Sequence, residues 1–145
     1  TRPEYPRAGR HHSSFQMTKE AMTKRVLTGL SNPVARILAH PTGRLLGQRD
    51  GYDLDWDQIF RFCLEHNKAL EINAYPNRLD LPDTLVREAV KRGVKLSLGT
   101  DAHVKDDLSL MPYGVSVARR GWAQKKAILN TLSFGEIIKW MRLRI

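Results

Sequence analysis

The sequence predicts an α/β domain built on a parallel sheet. Three observations carry this: short apolar runs alternate with amphipathic stretches, glycine or proline punctuates each change, and polar residues follow the apolar runs. The chain has 145 residues, 41% of them hydrophobic. That suits one domain or a piece of a larger one, and it excludes collagen-like, low-complexity and coiled-coil classes. No apolar stretch approaches the roughly 18–20 residues that span a bilayer, so no membrane partner is expected.

The elements follow in order. Met22, Val26 and Leu30 recur at i, i+4 and i+8, which predicts a helix over Thr18 to Leu30, ended by Asn32-Pro33. Ala35 to Ala39 reads as a buried strand that delivers His40, and Pro41-Thr42-Gly43 as a loop. Asp55 with Gln58 has capping-box spacing and opens a helix with Ile59, Phe60, Cys63 and Leu64 as its apolar stripe. Cys63 therefore reads as core rather than nucleophile. Ala69 to Asn73 is the next strand, Pro76 to Pro82 a loop, and Asp83 to Arg92 a helix stopped by Gly93. Lys95 to Leu98 is a third strand, emptying into Gly99-Thr100-Asp101-Ala102-His103. Leu108 to Arg120 reads as a helix closing on Gly121, and Ser133 with Glu136 as a capping box opening a last helix to about Arg144. A fourth strand is a candidate near His12. Four strands are too few to close a barrel, which takes about 250 residues.

Charge and cysteine usage narrow the setting. There are 24 Lys+Arg against 15 Asp+Glu, a formal charge of +9, which points to a polyanionic partner without naming it. From 117 onward Arg119, Arg120, Lys125, Lys126, Lys139, Arg142 and Arg144 face Glu136 alone, a basic end or simply a solvated face. One cysteine cannot form an internal disulfide, so a reducing, cytoplasmic setting is expected. Residues 1–10 lack the apolar core of a signal peptide and an initiator Met, which suggests a fragment or a trimmed chain.

In parallel βα architectures chemistry collects where strand C-termini empty into loops. His40 and Asp101-Ala102-His103 fall at such points, and Glu71 and Asn73 share one face of their strand. Period 2 also lets Asp101 and His103 point the same way, as a carboxylate–imidazole pair suited to Zn²⁺, Mn²⁺ or Fe²⁺. His12 is a further candidate ligand. Each residue has an ordinary alternative: His40 as a hydrogen-bonded structural histidine, Glu71 as a loop holder, Arg44 and Arg78 as solvated charges, His66 as a helix-dipole partner. From spacing alone a metal site and a set of structural residues stand level.

A resemblance separates them. His12-Ser13-Ser14-Phe15, His40-Pro41-Thr42-Gly43-Arg44, Gly51-Tyr52-Asp53-Leu54-Asp55, Leu70-Glu71-Ile72-Asn73-Ala74, Asn77-Arg78-Leu79-Asp80-Leu81, Asp101-Ala102-His103 and the run from Tyr113-Gly114-Val115 to Arg120-Gly121-Trp122 occur in that order. Together, over about residues 12 to 143, they resemble the polymerase-and-histidinol-phosphatase (PHP) domain of bacterial and archaeal family X DNA polymerases. The resemblance implies a distorted (β/α)₇ TIM-like barrel with up to three metals, Mn²⁺ or Zn²⁺, in its mouth. It implies a metal-dependent phosphoesterase acting as a 3′→5′ exonuclease on DNA 3′ ends and gapped repair intermediates, beside an upstream polymerase module. Carried over, His12, His40, Asp101 and His103 would be metal ligands, with Asp101, His103 and Arg44 catalytic. Arg44, Asn73 and Arg78 would hold phosphate or orient neighbours.

The chain also departs from that pattern. The family's opening His-x-His segment, a further histidine and an acidic residue are not found, nor are the first strands of the barrel. Residues 1–11 read as a divergent start, and 12–145 as the C-terminal portion of the domain. With about half the ligand set, this chain alone is expected to bind metal weakly, to show little activity and to leave a sheet edge open. The alternatives are a non-catalytic DNA-binding or polymerase-supporting half-domain and a small-molecule phosphatase of the histidinol-phosphatase type.

Overall fold

A computed structural model describes residues 17–142. Five α-helices surround a three-stranded parallel sheet: α1 (Lys19–Leu30), β1 (Ile37–Leu38), α2 (Trp56–Glu65), β2 (Ala69–Asn73), α3 (Asp83–Arg92), β3 (Lys95–Gly99), α4 (Met111–Arg120) and α5 (Phe134–Arg142). The strand order is β1-β2-β3, with Leu38 opposite Leu70 and Glu71 opposite Ser97. The fold is thus mixed α/β. The expected fourth strand near His12 lies outside the described residues.

Local chemistry sets most helix ends. Thr18 Oγ1 accepts the Ala21 N–H (3.1 Å) to start α1. Asp55 caps α2 by accepting from Gln58 N (3.1 Å), but the Gln58 amide returns to the Asp55 carboxylate (2.8 Å) rather than to backbone. At α5 the capping box is reciprocal, with Ser133 N donating to Glu136 Oε2 (2.7 Å) and Glu136 N to Ser133 Oγ (3.4 Å). Gly93, at φ +85°, ends α3 in the left-handed conformation that glycine takes freely.

Two expected elements are shorter than their apolar runs. β1 holds two residues rather than the five from Ala35 to Ala39. The Ala35 carbonyl accepts from Lys68 Nζ (2.7 Å), as does that of Asn32 (3.1 Å), so this backbone is tied to a side chain. Burial of Lys68 lowers its pKa, with Arg36 adding to the effect. The α4 region begins as a 3₁₀ turn at Lys105–Leu110 and becomes α-helical at Met111, with Pro112 in the first turn.

The sheet's two faces differ. Leu70, Ile72, Leu96 and Leu98 pack with Ile59 and Phe60 of α2, Val86 of α3 and Val117 of α4. Alternation puts Ala69, Glu71 and Asn73 on the other face. There Ala69 meets Leu129 and Trp140 in a smaller cluster. Cys63 lies in the main core, and burial pushes its thiol up to about 12, so it is no nucleophile near neutral pH.

The outer edge of β3 is closed by the segment after α4. Leu96 bridges to Ile128, and the Asn130 amide pairs with both backbone groups of Leu98: Oδ1 accepts its N–H (2.8 Å) and Nδ2 donates to its carbonyl (2.9 Å). One side chain thus substitutes for a strand neighbour. Asn130→Ala leaves both groups without these partners and is expected to cost about 1–2 kcal/mol, read as a lower urea midpoint at unchanged slope.

Candidate metal and phosphate site

The site stands on the loops at the C-terminal ends of the three strands. Its frame is a clasp between two loops. The fully buried Asp80 carboxylate accepts backbone N–H groups from Thr42 (3.1 Å to each oxygen) and Gly43 (2.9 Å). Arg44 returns the contact, its Nε donating to the Arg78 carbonyl (2.9 Å) and its Nη2 to that of Leu79. Asn73 and Asp80 exchange backbone bonds (2.5 and 3.2 Å), closing the loop between them. Gly43, at φ +67°, lies where a Cβ would meet the Tyr52 ring at 2.4 Å, so the loop accepts no side chain there.

On this frame His40, half-buried, meets groups from the other strands. Its backbone N–H donates to Glu71 Oε2 (2.8 Å). Its Nε2 faces Asp101 Oδ2 at 3.8 Å, and Arg78 Nε lies 3.6 Å from the same carboxylate oxygen. Gly99 makes room for Glu71, because a Cβ there would sit 2.9 Å from Oε1. His40 (φ +46°), Leu79 (φ +43°) and Asp101 (φ +55°) all hold left-handed backbone, which non-glycine residues rarely adopt. Such strain gathers at functional sites.

The His40 ring sits between two demands. Asn73 Oδ1 accepts from Tyr75 N (3.0 Å), which turns its Nδ2 to donate to His40 Nδ1 (3.2 Å). Neutral His40 then carries its proton on Nε2, toward Asp101. A cation on Nε2 requires the other tautomer, and for that Glu71 Oε2, 3.5 Å from Nδ1, is the acceptor. Taking that tautomer also requires the Asn73 amide to turn away, because an N–H on Nδ1 would face its NH₂ group.

Of the expected ligands, His40 and Asp101 are brought together. Their 3.8 Å separation is near the roughly 3.4 Å between two ligands of one tetrahedral cation. The donor types also suit a divalent metal. His103 is placed differently from the expectation: β3 ends at Gly99 and Asp101 turns left-handed, so strand periodicity does not extend to 103. The exposed His103 ring bonds through Nδ1 to the Asp101 carbonyl (2.7 Å), and the His103 backbone N–H donates to Asp107 Oδ2 (3.0 Å). His12 lies outside the described residues. Among the described residues no group of three or more His, Cys, Asp or Glu forms a metal cluster. Two of the four expected ligands, His40 and Asp101, thus face each other at 3.8 Å.

Asp80 as the anchor of the clasp had no signal in the sequence, and Arg44, expected as a catalytic and phosphate-holding residue, turns its guanidinium to loop carbonyls. A groove of about 600 Å³ beside the clasp is lined by Arg44, Arg49, Gly51, Tyr52 and Trp56, whereas His40 and Asp101 lie outside it.

Over 131 residues, 90% of this chain, the sequence is 42% identical to the DNA polymerase/3′-5′ exonuclease PolX of Bacillus subtilis (strain 168). The chain is a relative of the PHP domain of family X DNA polymerases. It is also 25% identical over 129 residues to a probable phosphatase of Thermoanaerobacter sp. (strain X514), and 28% over 92 residues to one of Caldicellulosiruptor saccharolyticus. Those matches take in 85% and 60% of this chain. The chain spans 23% of the length of PolX, and the matches 50% and 36% of the two phosphatases. No protein-family model matches it. No helix of the described residues is long and apolar enough to cross a membrane.

The clasp makes a pH prediction. Burial holds the Asp80 carboxyl above its ordinary range, outweighing the Thr42 and Gly43 N–H groups and Arg44, which draw it down. A raised folded-state pKa means the folded chain binds the proton more tightly than the unfolded chain. Asp80's contribution is therefore full below the unfolded value and declines as pH rises through the folded one. The stability difference between wild type and Asp80→Asn, from urea unfolding, is expected to shrink as pH rises above the ordinary aspartate value of 3.8.

Proposed function

We propose that residues 12–145 form the C-terminal portion of a PHP-type barrel domain and that the chain contributes to metal-dependent hydrolysis of phosphodiesters at DNA 3′ ends. The observation that carries this reading is the meeting of His40 Nε2, Asp101 Oδ2 and Arg78 Nε at the strand ends. His40 and Asp101 would hold a divalent metal, Mn²⁺ or Zn²⁺, with His12 and His103 as further ligands. When bound, such a metal lowers the pKa of water and stabilises the charge developing on phosphate oxygens.

This chain's own groups then have distinct tasks. Glu71 holds the His40 backbone and would accept from Nδ1–H in the metal-binding tautomer, while Asn73 holds the ring plane in the other. Arg78, next to Asp101, is the group for a non-bridging phosphate oxygen, where its charge favours the phosphoryl group as negative charge builds. Arg44 positions Arg78 by holding its carbonyl. In the reaction a water oxygen bonds to phosphorus, the bond to the preceding nucleotide's 3′ oxygen breaks, and that oxygen leaves with a proton. The partners in this reading are DNA, including gapped repair intermediates, and a polymerase module.

PolX, at 42% identity, supports DNA as substrate, while the probable phosphatases, at 25% and 28%, favour a small phosphate ester as the second reading. The short donor set among the described residues favours weak metal binding, with a non-catalytic DNA-binding role as its limit. A 3′-recessed or gapped duplex with a labelled 3′-terminal strand, incubated with millimolar Mn²⁺, tests the first reading. Slow stepwise shortening from the 3′ end is expected, in keeping with the short donor set, and lost in Asp101→Asn. Shortening that ignores this substitution, or none at any Mn²⁺ concentration, overturns it. Hydrolysis of histidinol phosphate with the DNA left intact selects the second.

A further inference from the structure

The run Arg119-Arg120-Gly121-Trp122 takes no part in the strand-end site, yet its geometry is unusual. Helix α4 ends in a Schellman closure: Ala123 N donates to the Ala118 carbonyl (2.9 Å) and Trp122 N to that of Arg119 (3.0 Å). The left-handed position in this closure normally holds glycine. Here it holds Trp122, at φ +61°, while Gly121 stands one residue before it at φ −80°. The sequence reading placed the stop at Gly121. That glycine serves packing instead, because a Cβ would lie 2.3 Å from Val86 Cγ1 on α3.

The strained turn aims a large ring outward. Trp122 is 65% exposed although the Arg87 guanidinium is stacked 3.6 Å from its ring centroid. A bulky residue in this backbone region is costly, and an indole left mostly in water recovers little by burial. Beside it is a pocket of about 380 Å³ lined by Val90, Lys95, Gln124 and Lys126 as well as Trp122, with no carboxylate in its wall. Lys95 Nζ donates to the Lys126 carbonyl (2.7 Å), fixing the turn that carries the second lysine. Nearby carboxylates are engaged: Asp83 by Arg120 (2.8 Å) and Glu88 by Lys91 (3.6 Å). The patch is at the start of β3, whereas Asp101 follows its end, roughly 15 Å away by the rise of a strand.

We propose that Trp122, backed by Arg87 and flanked by Lys95 and Lys126, is a stacking platform for an unpaired base of single-stranded nucleic acid. An aromatic face supplies stacking to any base, a guanidinium behind the ring holds it in place, and the ammonium groups match the phosphates on either side. The reading goes beyond hydrolysis at the strand ends and does not depend on it.

The test is a titration in EDTA, where no metal-dependent cleavage occurs, following the indole N–H resonances of the ¹⁵N-labelled chain. A single-stranded oligothymidylate is expected to shift the Trp122 resonance, and an abasic oligomer of equal length is not. Trp122→Gly suits the left-handed turn and is expected to keep the melting temperature while weakening oligothymidylate binding about tenfold. Its affinity for the abasic oligomer should be unchanged. Trp122→Phe keeps a ring and should retain binding within a few-fold. An unmoved Trp122 resonance, equal weakening for both oligomers, or a resonance that moves only with protein concentration, as in self-association, overturns the proposal. Each of those results leaves the strand-end hydrolysis to be judged by its own assay.

Discussion

The buried carboxylate of Asp80 is the constraint on which the rest of the site depends. It comes from the loop after β2 and binds backbone N–H groups of the loop after β1, while Arg44 of that second loop binds carbonyls of the first. Two otherwise independent loops thereby become one rigid unit. His40 enters this unit from one side and Arg78 from the other, and Asp101 lies between them. A buried charge is tolerated here because several N–H groups and a guanidinium surround it. The same contacts hold His40 and Leu79 in backbone conformations that isolated residues avoid.

Most of the fold was legible because it rests on local chemistry. Apolar runs marked β2 and β3, Gly93 marked the end of α3, and Asp55 and Ser133 marked helix starts through side chains a few residues from their partners. What was not legible depended on distant groups. β1 is short, and the backbone before it is held by Lys68, which donates to the Ala35 carbonyl 33 residues away. Arg44 is held by carbonyls 34 and 35 residues away, so its loop-binding position had no local signal. The left-handed turns at His40, Asp101 and Trp122 escaped notice because none is a glycine. The pairing of Glu71 with Asn73 was visible in strand periodicity, whereas that of Asp101 with His103 failed where the strand stopped.

Charge takes on a more specific meaning once the residues are placed. The formal +9 is a property of the whole chain and names no partner. Part of it is committed inside the fold, in Lys68 and Arg44, and part at the surface, in Arg120 with Asp83 and Arg92 with Asp57. Arg78 beside Asp101, and Arg87 with Lys95 and Lys126 around Trp122, lie at opposite ends of β3.

In the proposed reading His40 and Asp101 are two ligands of one divalent-metal site. Paramagnetic broadening of the ¹⁵N-labelled chain by substoichiometric Mn²⁺ tests it most directly, without relying on catalysis. Broadening centred on residues 40, 71–73, 78 and 101–103 is expected. A dissociation constant raised at least about tenfold by either His40→Ala or Asp101→Asn is expected as well. Broadening centred instead on surface carboxylates such as Asp106 and Asp107, unchanged by both substitutions, would contradict it.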